Sequence, residues 1–169
     1  MDELIQRCIH MLRIDEGVRG KPYNDLTGKP HRSPSGKLTI GVGRNLEDNG
    51  LSLEEINFIL ANDIKHCVTV CEGLVPNFNS LSIPRKMVFI NLCFNIGATK
   101  LSAFKKTFSY IALGDWESAA QHLGWSLWAK QVPNRAARVI EMLKTNNDIY
   151  EKLPDPTFMP DGPGRPSSL

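Results

Sequence analysis

In the stretch MLRIDEGVRGKPYNDLTG, residues 11–28, two carboxyl groups stand nine residues apart in contrasting settings. Glu16 comes where an apolar helical pattern stops, and Asp25 sits in a turn rich in Gly and Asn. A carboxyl at the end of an apolar helix is partly desolvated and can stay protonated near neutral pH, whereas one in a wet turn ionises. Such a pair can divide the labour of breaking a glycosidic bond: the acid protonates the departing oxygen, while the carboxylate meets the positive charge on the sugar carbon or activates water. Thr39, on a strand-like run further along, offers a hydroxyl to hold that water. Read locally, Glu16 before Gly17 is also an ordinary helix terminus.

The elements that must position these groups follow from periodicity. Residues 2–14 place Leu4, Ile5, Cys8, Met11 and Leu12 at helical spacing behind Asp2 as an N-cap, so an amphipathic helix leads up to Glu16. From 17 to 50 the chain is rich in Gly, Pro, Asn, Asp and Ser, and its strand-like run is KLTIGVG, 37–43, with Leu38, Ile40 and Val42 on one face. We read a small twisted hairpin or three-stranded sheet, with GKPHRSPSG as an exposed hairpin loop. Ser52 and Glu55 then form a capping box under a Leu51/Ile56 staple. That helix is expected to run to about Glu72, with Gly73 as its stop, burying the stripe 56, 59, 60, 64, 67 and 68. Beyond Pro76 the chain reads as helices: one ending at Gly97, one at Gly114, one from the Asp115 cap to Gly124, and one opening with Pro133 in its first turn. Short loops between them indicate a compact bundle. The last sixteen residues hold five prolines and no periodic apolar face, and read as a flexible or loosely docked tail, or a docking segment for a partner.

Composition bounds the alternatives. At 169 residues, 41% apolar and 22% charged, the chain suits one ordinary folded domain, or a small lobe joined to a larger one. A net charge of +2 does not by itself imply nucleic acid. The stretch 126–144 carries Lys130, Arg135, Arg138 and Lys144 against Glu141, which suits an acidic polymer or a solvated helix face. Charged residues in the first fifteen positions leave no apolar core for a secretory signal, so cytoplasmic accumulation is expected. Cys67 and Cys71, four apart without a second pair, read as buried reduced thiols rather than zinc ligands. Trp116, Trp125 and Trp128 could form a sugar-stacking platform, but at helical spacing they read as core residues, and the four histidines share no motif.

Four motifs in order, MLRIDEGVRGKPYNDLTG, LTIGVGRNL, FNIGATKLSAFKKT and WAKQVPNRAARV, make the chain from about 8 to about 150 resemble the phage-type lysozymes, glycoside hydrolase family 24. The resemblance implies an α+β lysozyme-like fold: a small β-sheet lobe, a long connecting helix and a C-terminal helical bundle, with the active site in the groove between the lobes. The expected layout is a single domain over 1–153, with the sheet lobe at about 13–60, the connecting helix at about 52–72 and the helical lobe at about 76–150. Helix 2–14 is expected to pack on that bundle, and 154–169 is the Pro-rich tail.

The resemblance also assigns roles. Glu16 falls on the family's general acid, and Asp25 and Thr39 on the groups that position and activate water in an inverting reaction, for which carboxyl pairs usually lie about 6.5 to 9.5 Å apart. Arg135 matches the arginine that reaches the catalytic Glu, where its charge lowers a pKa that burial raises. Arg138 matches one that pairs with the preceding Asp, here Asp15. Phe94, Asn95 and Asn45 match cleft positions, while Thr107 and His122 fall near sugar contacts but differ in residue type. Departures are the inserted HRSPSG, Arg44 in place of a histidine whose buried pair with Asp should be absent, Asn45 for an apolar residue, Asn95 for glutamine, and the tail.

The implied activity is a muramidase cutting the β-1,4 bond between N-acetylmuramic acid and N-acetylglucosamine in peptidoglycan. The implied role is that of a phage endolysin, made in the host cytoplasm and reaching the wall through a separate holin-type pore. No metal, cofactor, nucleic-acid partner or stable membrane insertion is expected, and the chain is expected to be a monomer. The competing readings are a lytic transglycosylase, a wall-binding protein without catalysis, and a basic helical nucleic-acid binder.

Overall fold

A computed structural model describes residues 7, 11, 13, 18–27, 29 and 35–154. Glu16, Asp15, most of helix 2–14, Cys8, most of the hairpin insertion and all but the first residue of the tail lie outside the described residues. Arg7, Met11 and Arg13 are helical. The chain divides into two compact units, Met1–Ile56 and Asn57–Leu169.

The first unit carries an antiparallel sheet in the order β1 (Arg19–Asn24), β2 (Leu38–Gly41), β3 (Arg44–Asn45). Tyr23 pairs with Thr39 and Asn24 with Leu38, and on the other side of β2 Thr39 pairs with Asn45. The strand is shorter than the 37–43 run, and its alternation differs from the expected one. Thr39 is its buried residue, at 3% exposure, while Leu38 and Ile40 are half-buried and Val42 is exposed. Thr39 has a partner on each neighbouring strand, Tyr23 and Asn45, and Val42 lies beyond the strand, in the turn to β3.

A single turn, α1 (Leu46–Asn49), follows β3. The capping box then opens α2 (Leu53–Leu74): Glu55 N–H donates to Ser52 Oγ at 3.2 Å and Ser52 N–H to Glu55 Oε2 at 2.8 Å. Gly73 does not stop this helix, which runs one residue past it. Nor is the stripe buried throughout. Cys67 and Cys71 are buried, but Ile59, Leu60 and Ile64 stay exposed.

The second unit adds α3 (Ile83–Leu101), α4 (Lys105–Ala112), α5 (Trp116–Gly124), α6 (Leu127–Gln131) and α7 (Pro133–Thr145). Gly97 breaks α3, its φ of 78° and ψ of 166° being a conformation L side chains avoid. Val88, Phe89, Leu92 and Cys93 of α3 face Val139, Met142 and Leu143 of α7 in the core. Phe89 and Phe108 meet edge-on, with centroids 6.3 Å apart. Burial pushes the Cys67 and Cys71 thiols up to about 11 and about 12, so both are protonated at neutral pH. Of the three tryptophans Trp128 is buried and Trp116 half-buried, but Trp125 is 65% exposed, so the core reading fails for Trp125. Among the described residues no single helix is long and apolar enough to cross a membrane.

Candidate active site

Asp25 and Thr39, fourteen residues apart, are both tied to the main chain of one residue, Lys37. Lys37 N–H donates to Asp25 Oδ1 at 2.7 Å, Asp25 N–H donates to Lys37 C=O at 3.2 Å, and Thr39 Oγ1–H donates to the same carbonyl at 3.3 Å. A carboxylate and a hydroxyl are thus oriented by one backbone unit, with Asp25 exposed and Thr39 buried.

Beneath Asp25 lies a buried polar anchor. Asn24, 1% exposed, accepts from Leu26 N–H at 3.0 Å and Thr27 N–H at 3.1 Å, and its amide donates to Ser35 C=O. One side chain therefore fixes the turn carrying Asp25 and the end of the incoming strand, closing the loop through buried bonds. Gly36 has φ +86°, and a Cβ there would lie 2.4 Å from the Asn24 amide, so only glycine fits.

Charge surrounds this arrangement. The Lys37 ammonium bonds Asp48 at 2.9 Å, which with the Asp48 charge raises the Lys37 pKa, and it lies 3.8 Å from Glu47. Asn45 is occupied as the N-cap of α1, accepting from Glu47 and Asp48 N–H, while its amide donates to Asp48 Oδ2 at 2.7 Å. Arg44 forks onto both oxygens of Glu55, at 2.6 and 3.0 Å, and onto the Gly50 carbonyl at 3.1 and 2.8 Å. The Ser52 N–H, then the Arg44 charge, hold the Glu55 carboxyl below its usual range.

The other expected residues belong to the second unit. Phe94, half exposed, and Arg135 line an apolar hollow of about 330 Å³ with Leu60, Ile64, Met87, Ile90 and Asn91. Asn95 Oδ1 accepts from the buried Trp128 indole N–H at 2.8 Å. The Arg138 guanidinium lies over the Tyr150 ring, 5.7 Å from its centroid, and its buried Nε has no partner among the described residues. Thr107 Oγ1, buried, meets His122 Nδ1 at 3.2 Å.

The phage lysozyme family model matches residues 13–145. The chain belongs to the phage lysozyme family. It is 29% identical to the probable T4-type lysozyme 2 of Dictyostelium discoideum and 30% identical to the probable T4-type lysozyme 1 of the same organism, in each case over 80% of this chain and 92% of the relative. It is also 26% identical over 81% of its length to the pre-baseplate central spike protein Gp5 of Enterobacteria phage T4, where the match spans 27% of that protein. The protein is accordingly a lysozyme-like glycoside hydrolase with the α+β lysozyme-like fold.

Within this phage lysozyme, sequence reasoning missed Lys37, whose main chain rather than side chain joins Asp25 to Thr39. It also missed Asn24, although an Asn-Asp pair before a Gly is a turn signal that could have pointed to it. The Arg44–Glu55 fork joins residues eleven apart across α1, and no spacing rule encodes that contact.

Proposed function

We propose that the protein is a muramidase that hydrolyses the β-1,4 bond between N-acetylmuramic acid and N-acetylglucosamine of peptidoglycan with inversion. Glu16 serves as general acid, and Asp25 and Thr39 position and activate the water. The observation that carries this reading is the Lys37 main chain that Asp25 and Thr39 share. With its proton committed to the Lys37 carbonyl, the Thr39 oxygen keeps lone pairs to accept from a water, while one Asp25 oxygen is held by Lys37 N–H and the other is left to take the water's proton. A water donating to both groups turns its own lone pair toward the sugar carbon. Arg135 tunes Glu16, Arg138 pairs with Asp15, and Phe94, Asn95, Asn45 and His122 contact the glycan, whereas Thr107, at 1% exposure, holds the His122 ring instead of meeting the sugar itself. In biological terms this is a phage endolysin acting as a monomer, made in the host cytoplasm and delivered through a separate pore-forming protein, without nucleic acid or stable membrane insertion.

Clearing of purified peptidoglycan by the wild type, Glu16→Gln and Asp25→Asn tests the assignment. Both variants should lose at least about a hundredfold in rate, the usual scale for removing an acid–base group. Mass spectrometry of the products should show reducing N-acetylmuramic acid ends, and NMR at early times the inverted anomer. Unchanged clearing by Glu16→Gln would leave a protein that binds walls without this chemistry. Anhydro ends as the main product would make it a transglycosylase.

A further inference from the structure

The second unit carries an aromatic strip that the hydrolytic groups do not use. Lys106 Nζ lies 4.9 Å from the Tyr110 ring centroid, Tyr110 lies 6.2 Å from His122, and His122 meets Trp125 edge-on at 5.9 Å. Trp125 ends this strip with most of its surface in water, although an indole normally contributes to stability by burial. It also forms one wall of a hollow of about 360 Å³ lined by Ala103, Phe104, His122 and Ser126. That volume falls within the range of about 300 to 1,000 Å³ usual for small-ligand sites.

We propose that Trp125 is a glycan-binding residue: one pyranose of the wall polymer stacks on its exposed face, and the ring's N-acetyl methyl enters the hollow over Ala103 and Phe104. An indole face suits the C–H face of a pyranose because the flat apolar ring matches the one apolar side of a sugar. The polar requirement is met beside it. His122 is fixed at Nδ1 by the buried Thr107 hydroxyl, so the ring's orientation is set and its second nitrogen remains for a sugar hydroxyl or amide. Ser126 beside it is held in place as the cap of α6, its hydroxyl oxygen accepting from Ala129 N–H at 3.1 Å. Trp125 also has a short connection to the Asn95 pair: three residues on, Trp128 donates its indole N–H to Asn95. The inference rests on the peptidoglycan reading above and adds a residue that reading does not contain.

The test separates the two. Glycan strands freed of stem peptides by an amidase are titrated into the Glu16→Gln protein and into its Trp125→Ala and Trp125→Phe derivatives, with tryptophan fluorescence and sedimentation as readouts. Trp125→Ala should weaken binding about tenfold, with Trp125→Phe retaining most of the affinity. In the enzyme with Glu16 intact, Trp125→Ala should raise KM by a similar factor and leave kcat unchanged. Equal affinity for all three proteins overturns the proposal, as does a loss seen only on strands that keep their peptides, which would assign the strip to peptide recognition. If Glu16→Gln still clears walls, the hydrolytic assignment fails whatever Trp125 does. If it is inactive and Trp125→Ala binds as tightly as its parent, only the stacking assignment fails.

Discussion

Gly36→Ala isolates the support beneath Asp25. At φ +86° an alanine is strained by about 1 to 2 kcal/mol. Its Cβ would also lie 2.4 Å from both terminal atoms of the Asn24 amide and 2.7 Å from Cγ, so Asn24 must leave its place. Leaving breaks the bonds to Leu26 N–H, Thr27 N–H and Ser35 C=O, each about 1 kcal/mol in net terms. Together the strain and the lost bonds amount to about 4 to 5 kcal/mol for opening of the sheet unit. Amide hydrogen exchange over residues 37–41 reads this directly, and exchange should quicken by about a thousandfold, since each 1.4 kcal/mol is a factor of ten. The decisive measurement is a double-mutant cycle. In an Asn24→Ala background the Cβ meets no amide, so Gly36→Ala should cost only the backbone strain of about 1 to 2 kcal/mol. Equal costs in both backgrounds would refute the claim that Asn24 is what excludes a side chain at 36. Wall clearing should fall in parallel with exchange, because the same turn aims Asp25.

Two further outcomes follow from the same geometry. Asn95→Ala, at an exposed position, should cost about 1 to 3 kcal/mol in urea unfolding, because it strands the buried Trp128 N–H, and adding Trp128→Phe to it should recover part of that loss. Glu55, its pKa lowered first by the Ser52 N–H and then by Arg44, contributes stability above its unfolded pKa that is lost as pH falls through its lowered folded value. The stability gap between wild type and Glu55→Gln should therefore be widest near neutrality and close on acidification; a gap constant with pH would refute the pairing.

What the sequence by itself determined is local. The Ser52/Glu55 box, the Asp115 cap bonding Ser118 N–H, Pro133 in the first turn of α7 and the break at Gly97 are all present, because each is settled by bonds or torsions within about four residues. The tertiary structure decided which faces are buried and which distant groups meet. Trp125 and Trp128, three residues apart and alike in pattern, end on opposite sides of the surface because the indole of one finds Asn95 on α3 and the other faces water. Thr39, rather than its apolar neighbours, is the buried residue of β2, since which face of a strand is covered is set by what packs on the sheet and not by the strand's own alternation. Asp25 and Thr39 meet at Lys37 through main-chain atoms that every residue type shares, so composition carries no trace of the contact.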